Sequence, residues 1–275
     1  MRLSWCLGVV LTCGSVGAQD CGAPELGCET AGGIYHVAVP DTDRPPMVLY
    51  LHGYGGSGAS AVRNQGFARR FTDRGYALVS PSGQIDPDER FRRDWDVDDG
   101  YPMPRDDVSF LSAVITDAAR RFDLDGERVL VTGFSRGGSM VWDFACAAPE
   151  AATAFAAVAG GFWEPIQPDC EGPTHLHHSH GFTDPMVPLE GRAVHFEGID
   201  FVQGNILKGL DTWRRENGCE GRADDSLIEG EVWEKRWTAC AAGSLTLRLT
   251  PGGHGLPDGW TGLVLDWFEA LPDAG

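Results

Sequence analysis

The chain has 275 residues, of which 42% are hydrophobic and 23% charged, the ordinary balance of a soluble globular protein. That composition excludes a disordered chain, a collagen-like chain and a multi-pass membrane protein. Lys plus Arg number 22 against 40 Asp plus Glu, giving a net charge of −18. A surface this acidic repels phosphate backbones and anionic lipid, so no nucleic-acid partner and no membrane partner are expected.

Arg2, the apolar run from Leu3 to Leu11 and the small-residue exit Val16-Gly17-Ala18 read as an export signal cleaved after Ala18. The run is too short to span a bilayer. Residues 19–30 then form an N-terminal segment, and residues 31–275 one catalytic domain. Cys6 and Cys13 fall in the signal, leaving Cys21, Cys28, Cys146, Cys170, Cys219 and Cys240. An even number in an exported chain suggests disulfides, and sequence alone does not choose among the pairings. Sequential pairing is the expectation: 21–28, 146–170 and 219–240. The expected location is extracellular or periplasmic.

Ile34 to Val39 alternates as an early strand. Met47 to Leu51 is a continuous apolar run, as expected of a strand buried on both faces. A helix is expected over 59–74, stopped by Gly75, and a strand over 76–80. Residues 82–105, rich in Pro, Asp and Arg, read as a long loop. Val108, Leu111, Ile115, Ala118 and Phe122 form one face of a helix over 107–122. Further strands are expected over 128–132, 155–159, 175–180 and 244–250. The matching helices are 138–146, 201–215 and 261–270. Alternating strands and helices imply a mostly parallel sheet with helices on both faces.

Gly133-Phe134-Ser135-Arg136-Gly137 fits G-x-S-x-G, and it joins the β-type run Val129 to Thr132 to a helix. That is the setting of a nucleophile elbow, a strained turn where only glycine fits two residues to either side of the serine. The helix N-terminus beyond it favours negative charge at the reacting centre. The alternative reading is an ordinary or phosphate-binding glycine turn, but no Walker pattern accompanies it.

A serine hydroxyl needs a base, and in this arrangement an acid and then a histidine follow later in the chain. Asp184 lies just beyond the strand 175–180, and His254, within Pro251-Gly252-Gly253-His254-Gly255, just beyond the strand 244–250. Ser135 then attacks a carbonyl carbon, His254 moves the proton, and Asp184 orients the imidazole. Asp169 and Glu190 rank lower as the acid because of where they sit relative to the strand. Read otherwise, Asp184 caps a turn and His254 is a solvated loop residue. After the strand 47–51, His52-Gly53-Tyr54-Gly55-Gly56 exposes backbone N–H groups; Tyr54 and Arg136 are assigned as the oxyanion donors.

Taken together, these pieces resemble the secreted polyhydroxybutyrate depolymerase and feruloyl esterase-like group of α/β-hydrolases, over about residues 33 to 268. Leu51-His52-Gly53, Asp106-Asp107-Val108 with Phe110-Leu111, the elbow, His180-Gly181 with Asp184-Pro185, Trp213 with Asn217-Gly218-Cys219, and Gly253-His254 carry the resemblance. It implies a single-domain α/β-hydrolase fold and the same Ser135, Asp184 and His254 triad. The residue after the nucleophile is usually small in that group; here it is Arg136. The final motif usually runs on into a Thr-Trp-Pro-like stretch; here it is Gly255-Leu256-Pro257.

The expected activity is hydrolysis of small or oligomeric carboxylic esters, hydroxyalkanoate or feruloyl and other aryl esters, through an acyl-enzyme. No cofactor and no metal are expected. Trp95 and Trp163, on loops near strand ends, are candidate substrate contacts. His175 and His177 face one side of their strand and His178 and His180 the other, which reads as packing rather than a metal site. Asp106 and Asp107 read as helix caps. The rival readings are a peptidase on the same fold, a non-catalytic binding module, and a metal-dependent hydrolase using the histidine-rich strand.

Overall fold

The computed structural model describes residues 21–85, 92–97, 100–101, 103–196 and 198–272. The expected export signal, with Cys6 and Cys13, lies outside the described residues. Along the chain come β1 (Cys28–Thr30), β2 (Gly33–Ala38), β3 (Pro46–Leu51), α1 (Gly58–Arg63), α2 (Gln65–Thr72), β4 (Ala77–Pro81), β5 (Gln84–Ile85), β6 (Arg93–Asp94) and α3 (Asp107–Phe122). There follow β7 (Asp125–Phe134), α4 (Arg136–Ala147), a 3-10 turn (Pro149–Ala151), β8 (Ala154–Val158), β9 (His175–Gly181), β10 (Arg192–Phe196) and β11 (Ile199–Gln203). The last elements are α5 (Ile206–Glu216), β12 (Asp225–Glu229), β13 (Val232–Trp237), β14 (Ser244–Thr250) and α6 (Trp260–Glu269).

Ten strands form one sheet in the order β1-β2-β4-β3-β7-β8-β9-β14-β13-β12. The six from β4 to β14 run parallel, and both margins are antiparallel. Central strands bury both faces, which is why β3, β4 and β8 read as apolar runs rather than alternations. Met47, Leu49 and Leu51 point into a core shared with α3, α4 and α5. Val48 and Tyr50 point the other way, towards α1, α2 and α6. The parallel run of β3, β7, β8, β9 and β14 brings the loops after all five strands to one edge of the sheet. In open parallel sheets that carboxyl edge is where ligands bind.

The structure corrects two helices. The segment expected as one helix over 59–74 is two, because Asn64 leaves helical geometry (φ −72°, ψ 86°) and its side chain accepts from the Phe67 N–H. The helix expected over 201–215 starts at Ile206. Phe201 to Gln203 belong instead to a hairpin in which β10 pairs with β11. Asn205 caps α5 by accepting from the Lys208 N–H at 3.0 Å. The loop 82–105 holds the short β5–β6 ladder. Disulfides join Cys21–Cys28, Cys146–Cys170 and Cys219–Cys240. Among the described residues no helix is long and apolar enough to cross a membrane.

Candidate active site

Ser135 directly follows β7 and precedes α4, with φ 57° and ψ −122°. Positive φ in a non-glycine residue is strained, at a cost of about 1–3 kcal/mol, and persists only where neighbours enforce it. The neighbours here are close. A Cβ on Gly133 would run into the carbonyl of Gly137, and a Cβ on Gly137 into the carbonyls of Leu51 and His52. The elbow is therefore wedged against the end of β3.

Register brings the other two side chains in. Thr250 at the end of β14 pairs with Gly181 at the end of β9, so the loops carrying His254 and Asp184 leave the sheet side by side. His254 Nε2 lies 2.9 Å from Ser135 Oγ, and His254 Nδ1 lies 2.8 Å from Asp184 Oδ2. The carboxylate can only accept, so Nδ1 carries the proton and Nε2 is free to accept from the serine hydroxyl. The Asp184 carboxylate is fully buried, and its other oxygen accepts from the N–H groups of Met186 (2.8 Å) and Val187 (2.9 Å). Both of its oxygens are engaged, which fixes its plane. The Phe134 ring lies 4.8 Å from the His254 ring, centroid to centroid.

The loop after β3 is fastened from below. His52 accepts the Gly83 N–H at Nε2 (3.0 Å), so its Nδ1–H donates to the Gly53 carbonyl (2.8 Å). Burial drives the His52 pKa down to about 4, so it stays neutral. Gly53 packs beside Ser135: a Cβ there would lie 3.4 Å from both the Phe134 carbonyl oxygen and Ser135 Cβ. Tyr54 and Arg136, the residues assigned as oxyanion donors, both line the same cavity as Ser135. Arg136 is the first residue of α4, where backbone N–H groups have no intrahelical acceptor.

That cavity has a volume of about 320 Å³, and Tyr54, Tyr101, Phe162, Trp163 and Phe201 give it aromatic walls. Phe201 meets Trp163 and Tyr101 edge-on at centroid distances of 6.2 and 6.1 Å. The Arg136 guanidinium forms part of one wall. Its Nε–H donates to Asp94 Oδ1 at 2.8 Å, and its Cζ lies 5.0 Å from the Trp163 ring centre. The long side chain next to Ser135 is thus held to the cavity wall by Asp94 and Trp163.

Trp163 stands where the sequence places it, in the cavity; Trp95 does not. Trp95 is fully buried, and its indole N–H donates to the His52 carbonyl at 2.7 Å. It is a prop beneath the glycine loop, not a substrate contact, because the loop 82–105 folds inward at β6. The structure also separates the two aspartates read as caps. Asp106 does cap α3, accepting from the Ser109 N–H at 3.1 Å. Asp107 is buried and pairs instead with Arg105 and the Asp96 N–H. Tyr101, Val194, Phe201 and Ile206 line the cavity without any signal in the sequence, since they come from a loop, a hairpin and a helix start that only folding brings together. The strand histidines pack as their alternation implies: His177 against Trp267, His178 against Trp142 on the opposite face. No cluster of three metal-ligating side chains occurs among the described residues.

No family model matches the chain. It is 31% identical over 149 residues to the protein named "Putative esterase NocK" of Nocardia uniformis subsp. tsuyamanensis, covering 53% of this chain and 42% of that one. It is 28% identical over 169 residues to the "Probable feruloyl esterase C" of Aspergillus flavus, 57% of each chain. The chain thus spans about half the length of the curated relatives it matches. Among solved structures, an acetyl xylan esterase from Aspergillus awamori superposes with a TM-score of 0.64 at 15% identity, covering 87% of this chain and 94% of that one. A Bacillus cereus carboxylesterase gives 0.59 at 13% identity, covering 87% and 95%. At such identities the likeness concerns the fold, and the fold is that of the α/β-hydrolases.

Proposed function

We propose that the protein is an exported serine hydrolase that cleaves carboxylic esters through an acyl-enzyme. The observation that carries the reading is the unbroken line of hydrogen bonds from Asp184 through His254 to Ser135, at the mouth of an aromatic-walled cavity. Ser135 Oγ attacks the ester carbonyl carbon while His254 Nε2 takes its proton. The carbonyl oxygen, now an anion, is received by the backbone N–H groups of Arg136 and Tyr54. Collapse breaks the bond to the alcohol, which leaves with the proton returned by His254. Water, activated by the same imidazole, then attacks the acyl-serine and releases the acid.

For the acyl group, the aromatic walls favour an aryl ester over a short hydroxyalkanoate. A flat ring stacks or meets edges there, gaining about 0.5–1.5 kcal/mol per aromatic pair beyond area burial. The relatives named feruloyl esterase support the same choice. Export is supported by the three disulfides, which persist in oxidising compartments. The test is a panel of p-nitrophenyl butyrate, methyl ferulate, hydroxybutyrate oligomers and a peptide anilide. Methyl ferulate should give the highest kcat/KM among the non-activated esters. Preferential anilide cleavage would replace the reading with a peptidase, and no turnover together with no fluorophosphonate adduct on Ser135 would replace it with a binding module.

A further inference from the structure

We propose that His180, held as its neutral Nε2–H tautomer by His178, is the positioning residue that keeps the Asp184 carboxylate aimed at His254. This rests on the serine hydrolase reading above but concerns residues that reading does not use.

The assignment follows from hydrogen-bond arithmetic. His180 Nε2 lies 2.7 Å from the Val187 carbonyl oxygen, which can only accept, so Nε2 carries a proton. In the neutral ring Nδ1 is then an acceptor. It lies 3.0 Å from His178 Nε2, which must therefore donate. That leaves His178 Nδ1 as a bare acceptor, and His178 Nδ1 is indeed a buried atom with no hydrogen-bond partner. The Val187 carbonyl thus sets the tautomer of both rings. Both side chains are fully buried, which disfavours the charged form of each.

The consequence reaches the site through Val187. Its N–H donates to Asp184 Oδ1, while its carbonyl accepts from His180 on the rigid end of β9. The turn that holds Asp184 is thus pinned to the sheet by one imidazole. His180 Nε2 also lies only 3.6 Å from Asp184 Oδ2, the oxygen bound to His254. If His180 gained a second proton, its Nδ1–H would face the His178 Nε2–H. His178 could accept that proton only by moving its own to Nδ1, a buried atom with no partner, so the pair disfavours the doubly protonated ring and keeps its single N–H on the carbonyl. Without that constraint His180 competes with His254 for the same oxygen. The titratable groups facing His180 are Asp184, His254 and His178; His178 faces His180, while its chain neighbour His177 lies on the opposite face of the sheet. His178 also meets the Trp142 ring, edge-on at 5.1 Å.

The experiment compares His180→Phe, His180→Gln and His178→Phe with the parent protein. It reads kcat and KM on the best ester, thermal unfolding, and the downfield proton resonance of His254 Nδ1. His180→Phe should lower kcat by about ten- to a hundredfold, with KM changed much less, and should shift or broaden the resonance. His180→Gln carries an amide donor near the former Nε2 and should recover most of both. His178→Phe exchanges one buried orphan acceptor, His178 Nδ1, for another, His180 Nδ1, so it should fold about as stably as the parent yet broaden the resonance. Parent-like kcat and resonance in His180→Phe overturn the proposal, as does a His180→Gln no better than His180→Phe. Should His180→Phe not fold, an unchanged resonance in His178→Phe overturns it. The resonance needs no substrate, so a parent protein inactive on every ester would refute the functional reading and still leave this positioning role tested.

Discussion

Two glycine-rich turns carry the proposed nucleophile and base, and they are built differently. Around Ser135 there is no space: Gly133, Gly137 and Gly138 each face backbone that a methyl group would strike. Around His254 there is room. A Cβ on Gly252 or Gly255 would meet nothing within 4 Å, and one on Gly253 would make only ordinary contacts at 3.8 Å. The serine is placed by packing, so its strained conformation is imposed by the sheet. The histidine is placed by two hydrogen bonds and one ring contact. The difference teaches that, in the proposed mechanism, the rigid half of the site is the half that must not move during attack. The looser half is the one proposed to carry a proton from nucleophile to leaving group.

The comparison is sharpened first by removing its chemistry. Ser135→Ala should leave the fold intact and lower kcat for esters by roughly 10⁴–10⁶, with His254→Ala similar, because the members of such a unit fail together. Circular dichroism and ester turnover measure the two halves of that statement.

Steric substitutions come next. Gly137→Ala forces a methyl group onto the Leu51 and His52 carbonyls, and should cost about 2–3 kcal/mol or prevent folding. Gly253→Ala should cost less than about 0.5 kcal/mol by urea unfolding and leave kcat within a few-fold. Equal effects from the two would break the contrast between the turns.

Buried histidines also contribute to the pH dependence of stability. Burial lowers the pKa of His52 and of His177 to about 4, against an ordinary value of 6.5. Above 6.5 both states are neutral and these groups contribute no slope. Between 6.5 and 4 the unfolded chain binds the extra protons, so stability falls as pH falls. At pH 4.5 the loss should be roughly 2–3 kcal/mol from each histidine. Urea unfolding at pH 7 and 4.5 measures it, and His177→Phe should shed its share of the difference.

More selective effects separate the two tryptophans. Trp163→Ala removes a cavity wall and should raise KM for methyl ferulate about tenfold while changing kcat less. Trp95→Phe keeps the ring but leaves the His52 carbonyl without its donor. It should lower stability by about 1–3 kcal/mol and lower kcat rather than raise KM.

The elbow was legible because its requirements are local: a strand, a serine between spaced glycines and a helix occupy consecutive positions. The parallel core was legible because burial on both faces leaves continuous apolar runs such as Met47 to Leu51. Asp184 and His254 were legible by strand order, since each follows the end of a parallel strand. The cavity was not. Phe201 reads as the start of the helix that holds Leu210 and Trp213, and only the pairing of β10 with β11 makes it a wall. Asn205, a helix-capping residue after Gly204, was the one local mark of that boundary. Nor does proximity to a strand end say which way an indole points, and Trp95 turned inward to meet the His52 carbonyl.

Acid-quenched peptide mapping after brief exposure to p-nitrophenyl acetate tests the central claim most directly. The expected result is an acetyl group on Ser135 in the parent protein, formed with a burst of p-nitrophenol and absent from the His254→Ala variant. Steady ester turnover with the acyl group on another residue, or an equal burst without His254, would contradict it.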